Sequence, residues 1–523
     1  MAMKTPRYAL ANPMSLILDK PAADFTRADL LEVIGSKEIE RVTFHYTAID
    51  GKLKELTIPV TDRYHVESIL AEGERVDGSS LFKGMVDMGL SDLYVVPVYR
   101  SAFFNPFDEG SLDLVCRYLT KDGAPAPFTY DGILARAASL FRKVSGLELR
   151  AMGELEFFLL TSPADRSFPI ENQRNYHGSA PFAKSGPILH EMIRHIARAT
   201  GAVKYAHCEN GVIDAVRSDV PEIAGRLAEQ LEIEFVPRPI EEAADDLVLG
   251  RWIIRNTAFH HGAVATFTPK LEEGVAGSGL HFHLELAKDG RSVMRGPDGK
   301  LSVEARKIIG GLCEYADSLT AFGNTVSSAY LRLVPNQEAP TRICWSDLNR
   351  SALIRVPLGF ADAGDMARTV NPAEPGGYRD ERGGRQTVEI RSPDGSALIH
   401  LMLAGIAMAA NWAFGGDKSL FRDIGPLDLA EMYYVKGNIF TDKDLLKRLP
   451  ALPASCVESS RVLLAKRGLY ERDGVFPPGV IDYAARMLEA EDDEFMNKRL
   501  ADLPAHDRLH QIRQIMHKDL HKH

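Results

Sequence analysis

Long apolar runs are missing from this 523-residue chain. No stretch of about 18 consecutive apolar residues occurs, so no segment is expected to cross a membrane as a helix. Cysteine is scarce: Cys116, Cys208, Cys313, Cys344 and Cys456 are odd in number and widely scattered. That argues against a disulfide framework and for a reducing, cytoplasmic setting. The opening residues, MAMKTPRYALANPMSLILDK, lack the sustained apolar core of a secretory leader. Positive charge is also short. Lys and Arg total 62 against 72 Asp and Glu, a formal net charge of −10, which argues against a general binder of nucleic acid but leaves room for a local phosphate pocket. Internal repeats and long low-complexity segments are absent. What remains is an ordinary globular composition, 45% hydrophobic and 26% charged, in a chain long enough for more than one domain.

Residues 1–25 read as a loosely structured arm. A short helix is expected from Phe25 to Ile34, with Thr26 as a possible N-cap. Arg41–Thr47 and Lys52–Pro59 alternate apolar and polar residues around Asp50-Gly51, a strong hairpin signal. A helix at Tyr64–Ala71, the polar loop Val76-Asp77-Gly78-Ser79-Ser80 and strands near Asp92 and Leu112 complete a small α+β unit, taken as 26–122, that ends at Ala124-Pro125-Ala126-Pro127. The remainder, 123–523, alternates helices and strands and turns mostly helical past Leu427. Its tail, His517-Lys-Asp-Leu-His-Lys-His, reads as a solvated charged end.

Four segments carry polar residues where a core strand should be apolar. In Gly153-Glu154-Leu155-Glu156-Phe157-Phe158, Glu154 and Glu156 project to one face, because alternate residues of a strand do. Taken alone, such a pair marks either an edge strand with a wet face or a site whose cation compensates the buried charge. Leu280-His281-Phe282-His283-Leu284, Thr387-Val388-Glu389-Ile390-Arg391 and Ala228-Glu229-Gln230-Leu231-Glu232-Ile233-Glu234 repeat the design. Together they suggest a sheet whose polar face lines a cavity. Clustered Glu with His suits hard divalent cations such as Mg²⁺ or Mn²⁺. Arg332, Arg350 and Arg355 could supply planar donors for phosphate and carboxylate, or structural ion pairs.

In order along the chain these motifs resemble the glutamine synthetase family. Asp77-Gly-Ser-Ser, Gly153-Glu-Leu-Glu-Phe-Phe, His207-Cys-Glu209, Glu229-Gln-Leu-Glu232, Gly277-Ser-Gly-Leu-His281-Phe-His283, Arg332-Leu-Val-Pro-Asn-Gln-Glu338-Ala-Pro, Asn349-Arg-Ser-Ala-Leu-Ile-Arg and Val388-Glu-Ile-Arg391 carry the likeness. The resemblance implies an α+β fold: a small N-terminal β-grasp domain, then a large catalytic domain whose antiparallel sheet forms the active-site cavity among surrounding helices. It implies a ligase that activates the γ-carboxylate of glutamate with ATP as an acyl phosphate and amidates it with ammonia. It assigns one metal to Glu156, Glu209 and Glu232 and a second to Glu154, His281 and Glu389. ATP would meet His283, Arg350 and Arg355; glutamate would meet Gly277, Arg332 and Arg391. Glu338 would sit on a closing flap, and Asp77 would bind and deprotonate the amine in a neighbouring subunit's site. The implied assembly is a homo-oligomer, two stacked hexameric rings making a dodecamer.

The sequence departs from that pattern in ways that matter. The position before Gly277, usually Asn in authentic glutamine synthetases, is Ala276, so the acceptor could be an organic amine, a polyamine or a monoamine. A catalytically silent relative is the remaining alternative, although the proposed ligands are all retained. The segment Asn210–Leu227 is an insertion, which leaves Glu222 as a fallback for Glu209. The usual Gly of the Gly-Gln-X-Glu motif is Glu229, and a Ser commonly found after the His strand is Glu285.

Overall fold

Two sheets and a thick layer of helices build the molecule. The computed structural model describes residues 8–85, 91–162, 167–334, 339–360, 364–377, 384–419 and 422–522. The first sheet comprises β1 (Arg41–Thr47), β2 (Leu53–Pro59), β3 (Glu74–Asp77), β4 (Asp92–Pro97), β5 (Phe103–Phe104) and β6 (Ser111–Leu119). Its order is β2-β1-β6-β4-β3, with β5 on β6. β1 and β2 form the antiparallel hairpin read from Asp50-Gly51, and Gly51 takes the left-handed backbone (φ 74) that such a turn requires. β1 runs parallel to β6, which makes this a β-grasp. The helix Arg27–Ser36 starts where Thr26 caps it, with Asp29 bonding back to the Thr26 N–H at 2.6 Å. Leu30, Val33, Phe44, Val66, Leu70 and Leu114 fill the core beneath the helices.

The second sheet has ten strands: β7 (Glu148–Thr161), β8 (Val203–Ile213), β9 (Leu227–Phe235), β10 (Arg238–Pro239), β11 (Val264–Thr266), β12 (Leu280–Lys288), β13 (Arg291–Ser292), β14 (Trp345–Asp347), β15 (Ile354–Val356) and β16 (Val388–Ile390). Its main path runs β14-β15-β16-β12-β7-β9-β8. The helix Ile240–His260 packs behind β7 at Gly153, where an added Cβ would lie 2.8 Å from a Leu247 methyl; that close approach is why the first motif begins with Gly. The helix Ile399–Phe414 is apolar all round and buried between Tyr130–Ser145 and Val303–Gly323, as such a helix must be. None of the helices among the described residues is long and apolar enough to cross a membrane.

The β-grasp unit is tied to the larger one through charge and aromatic contact. Arg117 of β6 reaches Asp245 on the helix Ile240–His260 at 3.0 Å, and His45 packs on Trp252 with ring centroids 5.0 Å apart.

Several expectations are corrected here. β7 lies inside its sheet, paired with β9 and β12, which decides between the two open readings of Glu154 and Glu156 against the wet edge. The described part of the N-terminal arm is ordered: Pro13–Leu18 is a helix capped by Asn12, with Met14 fully buried. Arg332 closes a short helix, Ala329–Arg332. The tail is docked, not solvated. His517 and Leu520 are each 4% exposed, and the Leu520 carbonyl accepts the Thr266 hydroxyl at 2.8 Å. The start of the Asn210–Leu227 insertion simply continues β8 to Ile213 past an irregularity between Cys208 and Val212.

Candidate active site

Strand register decides which polar side chains meet. Across β7 and β12, His281 lies opposite Glu154; across β12 and β16, His283 lies opposite Glu389. Arg355 of β15 also faces Glu389. On the other side of β7, Glu156 faces Glu232 and Glu154 faces Glu234, while His207 of β8 faces Glu232. Directly opposite residues interact closely, so these pairs gather carboxylates and imidazoles on one face of the sheet. The other face is the apolar floor of Leu155, Phe157, Leu231, Ile233 and Phe282, each completely buried.

Glu154 is the hub. One carboxylate oxygen meets His281 Nδ1 at 2.8 Å, the other His283 Nε2 at 2.8 Å. Burial alone would raise the Glu154 acid, but the two imidazoles outweigh it and hold it well below the usual carboxylate range. Burial likewise would lower His283, and Glu154 beside it raises it instead. Glu232 has the opposite surroundings. Burial and the charges of Glu154, Glu156, Glu209 and Glu234 push its acid well up. Glu234 is 1% exposed; one oxygen meets Lys204 at 2.5 Å and the other makes no hydrogen bond among the described residues.

Among the described residues, three sets of side chains bring their ligand atoms within 4.8 Å of one another: Glu154, His283 and Glu389; His207, Glu209 and Glu232; and Glu154, Glu232 and Glu234. Hard oxygen donors with one imidazole fit a divalent cation such as Mg²⁺ or Mn²⁺. The orphaned Glu234 oxygen and the strained ionisation of Glu232 are the groups that such a cation would satisfy.

Glu209 and Glu232 are thus brought together, as are Glu154 and Glu389. Glu156 and His281 stand just outside these sets. Glu156 accepts the Gly279 N–H at 2.8 Å and the Gln230 amide at 3.1 Å, and His281 Nδ1 lies 3.7 Å from Glu389 and 4.0 Å from Glu156. The fallback ligand Glu222 is not part of the cluster; it pairs with His521 at 2.8 Å on the surface. Arg355 meets Glu389 at 2.9 Å, Arg391 meets it at 3.0 Å, and Arg391 also donates to the Arg350 carbonyl. Arg332 donates to the Ser392 carbonyl at 3.0 Å and lies 3.4 Å from His281 Nε2. The Gly277 carbonyl accepts from Gln230 at 3.0 Å. Asp77 is exposed and held by its own loop, accepting from the Ser79 N–H at 2.8 Å and from both serine hydroxyls at 2.6 Å, which sets its acid at about 2. No hydrogen bond or ion pair among the described residues joins it to this cleft. Glu338 lies outside the described residues.

Residue spacing does not single out every group at the site. His207 and Glu234 sit inside motifs already read, yet only the β8–β9–β7 register shows that they face the cluster. Gln173, Tyr176 and His177 come from a loop with no periodic signal. The Tyr176 and His177 rings pack against His207 with centroids 5.3 and 4.2 Å away. Glu229, the residue in place of the usual Gly, turns away from the cluster: its carboxylate accepts the Lys184 N–H at 3.0 Å and the Ser185 hydroxyl at 2.5 Å. It anchors the end of that same loop.

Acids placed to hold divalent cations, beside arginines placed to hold phosphate and carboxylate oxygens, are the equipment of a nucleotide-dependent ligase. Comparison with known proteins bears out that class of enzyme. Residues 132–498 match the model of the glutamine synthetase catalytic domain, and residues 38–121 match the glutamine synthetase beta-grasp domain. The chain belongs to the glutamine synthetase family, whose members are carbon–nitrogen ligases that use ATP and divalent metals. Glutamine synthetase of Thermococcus kodakarensis is 31% identical over 464 residues, covering 88% of this chain and 91% of that protein. That of Pyrococcus horikoshii is 32% identical over 375 residues, 71% and 74% of the two chains. Among solved structures, Plasmodium falciparum glutamine synthetase superposes with a TM-score of 0.69 at 19% identity, and apo GmaS with 0.65 at 20%; each spans 92% of this chain and 98% of its own. At that identity they speak to fold alone.

Proposed function

We propose that this enzyme activates the γ-carboxylate of glutamate with ATP and amidates the resulting acyl phosphate with ammonia. The observation that carries the reading is the shared face of β7, β8, β9, β12 and β16. It concentrates Glu154, Glu209, Glu232, Glu389 and the imidazoles beside Arg355 and Arg391. Two divalent ions, Mg²⁺ or Mn²⁺, would be held there: one by Glu209 and Glu232 with Glu156 or His207, the other by Glu154 and Glu389 with His281 or His283. Such ions supply charge neutralisation for the transferring phosphoryl group. His283, Arg350 and Arg355 orient the ATP phosphates. Arg332, Arg391 and Gly277 hold glutamate, and Glu338 belongs to a flap that excludes water from the acyl phosphate. Asp77, exposed and unconnected to the cleft of its own chain, serves the amine site of a neighbouring subunit. The assembly is a dodecamer of two stacked hexameric rings in the cytoplasm; the five buried, unpaired cysteines suit that compartment.

A second reading is favoured by Ala276 and by the rings of Tyr176, His177 and His207 packed beside Glu209 and Glu232: γ-glutamylation of an organic amine, whose alkylammonium suits aromatic faces next to acids. Phosphate release with glutamate, ATP and Mg²⁺ against ammonium, ethylamine and putrescine separates the two. Turnover with ammonium is the expected result. Turnover with an alkylamine and none with ammonium establishes the second reading, and no turnover with any acceptor overturns both.

A further inference from the structure

Beside the carboxylate cluster lies a cavity of about 290 Å³, lined in part by Glu156, Gln173, Ala276, Gly277, Arg332 and Arg391. Its charges match an α-amino acid: guanidinium groups for carboxylates and an acid for the ammonium. Gln173 enters from the loop that precedes the helix Gly186–Thr200, far from every motif. Its backbone sits at φ 57, a region that Gln visits rarely.

The orientation of its amide follows from one contact. Gln173 Oε1 accepts the N–H of Ala276 at 2.8 Å, so the NH₂ end of the planar amide is the donor that remains. One of its two hydrogens goes to Asn172 Oδ1 at 3.1 Å; the other has no acceptor among the described residues and is available to a ligand in the cavity. The loop behind it is fastened at several points. Asn175 is 2% exposed, the His177 N–H donates to the Cys208 carbonyl at 2.9 Å, and Glu229 binds Lys184 and Ser185. A side-chain amide is therefore held against the backbone of Ala276, the position where authentic glutamine synthetases usually carry Asn.

We propose that Gln173 is a specificity-determining residue of this cavity, donating from its amide to a carboxylate of the amino-acid substrate in place of a side chain at 276. The inference rests on the reading above that the cavity takes glutamate. In the full-length enzyme, Gln173→Ala should raise the glutamate KM about tenfold or more, the size of a lost hydrogen bond to a charged group. kcat and the ATP KM should stay within about twofold, since neither the metal ligands nor the phosphate-binding arginines touch Gln173. Adding Ala276→Asn to Gln173→Ala should recover most of the lost glutamate affinity, which a merely structural loop residue would not permit.

Calorimetric titration of glutamate, with Mg²⁺ and a non-hydrolysable ATP analogue present, reads the same cavity without turnover. Weaker glutamate binding by Gln173→Ala, at unchanged analogue binding, supports the inference even if no amine is amidated; that last result would sink the functional reading alone. Equal glutamate affinity in wild type and Gln173→Ala sinks the inference alone. Absence of glutamate binding by the wild type overturns both.

Discussion

Neutralising Glu232 should strengthen the metal-free protein and at the same time weaken its response to magnesium, leaving the part that the Glu154, His283 and Glu389 set supplies. Glu232 shares one ligand set with Glu209 and another with Glu154 and Glu234, all ligand atoms lying within 4.8 Å. Two like charges at that separation repel by about 3 kcal/mol at an effective permittivity of about 20. Without a cation, Glu232 sheds part of that repulsion by taking up a proton, which is why its acid is pushed well up. Glu232→Gln keeps the shape and removes the remainder, on the order of 1–3 kcal/mol. The metal acts in the opposite direction: at a free concentration of about 100 Kd it stabilises the wild type by about 2.7 kcal/mol. Thermal unfolding near neutral pH, with chelator and then with saturating Mg²⁺, reads both effects. The variant's apparent Tm should exceed that of the wild type by a few degrees in chelator, and its upward shift with Mg²⁺ should be clearly smaller than the wild type's. Glu222→Gln, on the surface with His521, is the control and should leave both readings unchanged. A Glu232→Gln protein that melts lower in chelator yet keeps its Mg²⁺ shift would refute the account of the cluster as a cation site.

Two further predictions concern what holds the site in place. Arg117→Ala should destabilise the protein by about 3 kcal/mol, because it leaves Asp245, whose acid sits at about 2 in the fold, buried with His400 at 3.5 Å as its remaining ion-pair partner among the described residues. The loss should be partly recovered in Arg117→Ala with Asp245→Ala, and fully additive effects in chemical denaturation would contradict the coupling. At the other end of the chain, burial would raise the Glu491 acid, but Lys522, Lys518 and Ser327 bring it down from 4.5 to about 2. A depressed folded-state acid contributes stability above the unfolded value of 4.5 and loses it as pH falls from there toward 2. The contribution at neutral pH is at most about 3 kcal/mol. Hydrogen exchange over residues 505–522, corrected for intrinsic rates, should show the docked tail opening below about pH 4.5. Glu491→Gln should abolish that transition, and an unchanged pH profile in the variant would assign it elsewhere.

Local rules carried a good deal of this structure. The Asp50-Gly51 hairpin, the Thr26 cap and the polar faces of the strands bearing Glu154, His281 and Glu389 all follow from contacts between residues near one another in sequence. The period-two alternation of a strand tells which of its side chains share a face, and that is why the carboxylates and imidazoles could be named at all. The ordered set of motifs carried the family as well.

Neighbour and register, by contrast, are long-range facts. Nothing within Leu280–Leu284 says that His283 rather than His281 closes the tightest set with Glu154 and Glu389; the pairing of β12 with both β7 and β16 says so. Whether Glu154 lay on a wet edge or at the heart of a sheet depended on two strands distant in the chain. The same holds for Gln173, which reaches Ala276 only because Glu229 and the β8 backbone pin its loop, and for a charged tail that buries Leu520. By itself the sequence determined which residues could act and which of them share a strand face, since those follow from covalent geometry over a few residues. Only the tertiary structure decided which of those faces meet, because burial of a common apolar floor is what forces the charged sides of separate strands together.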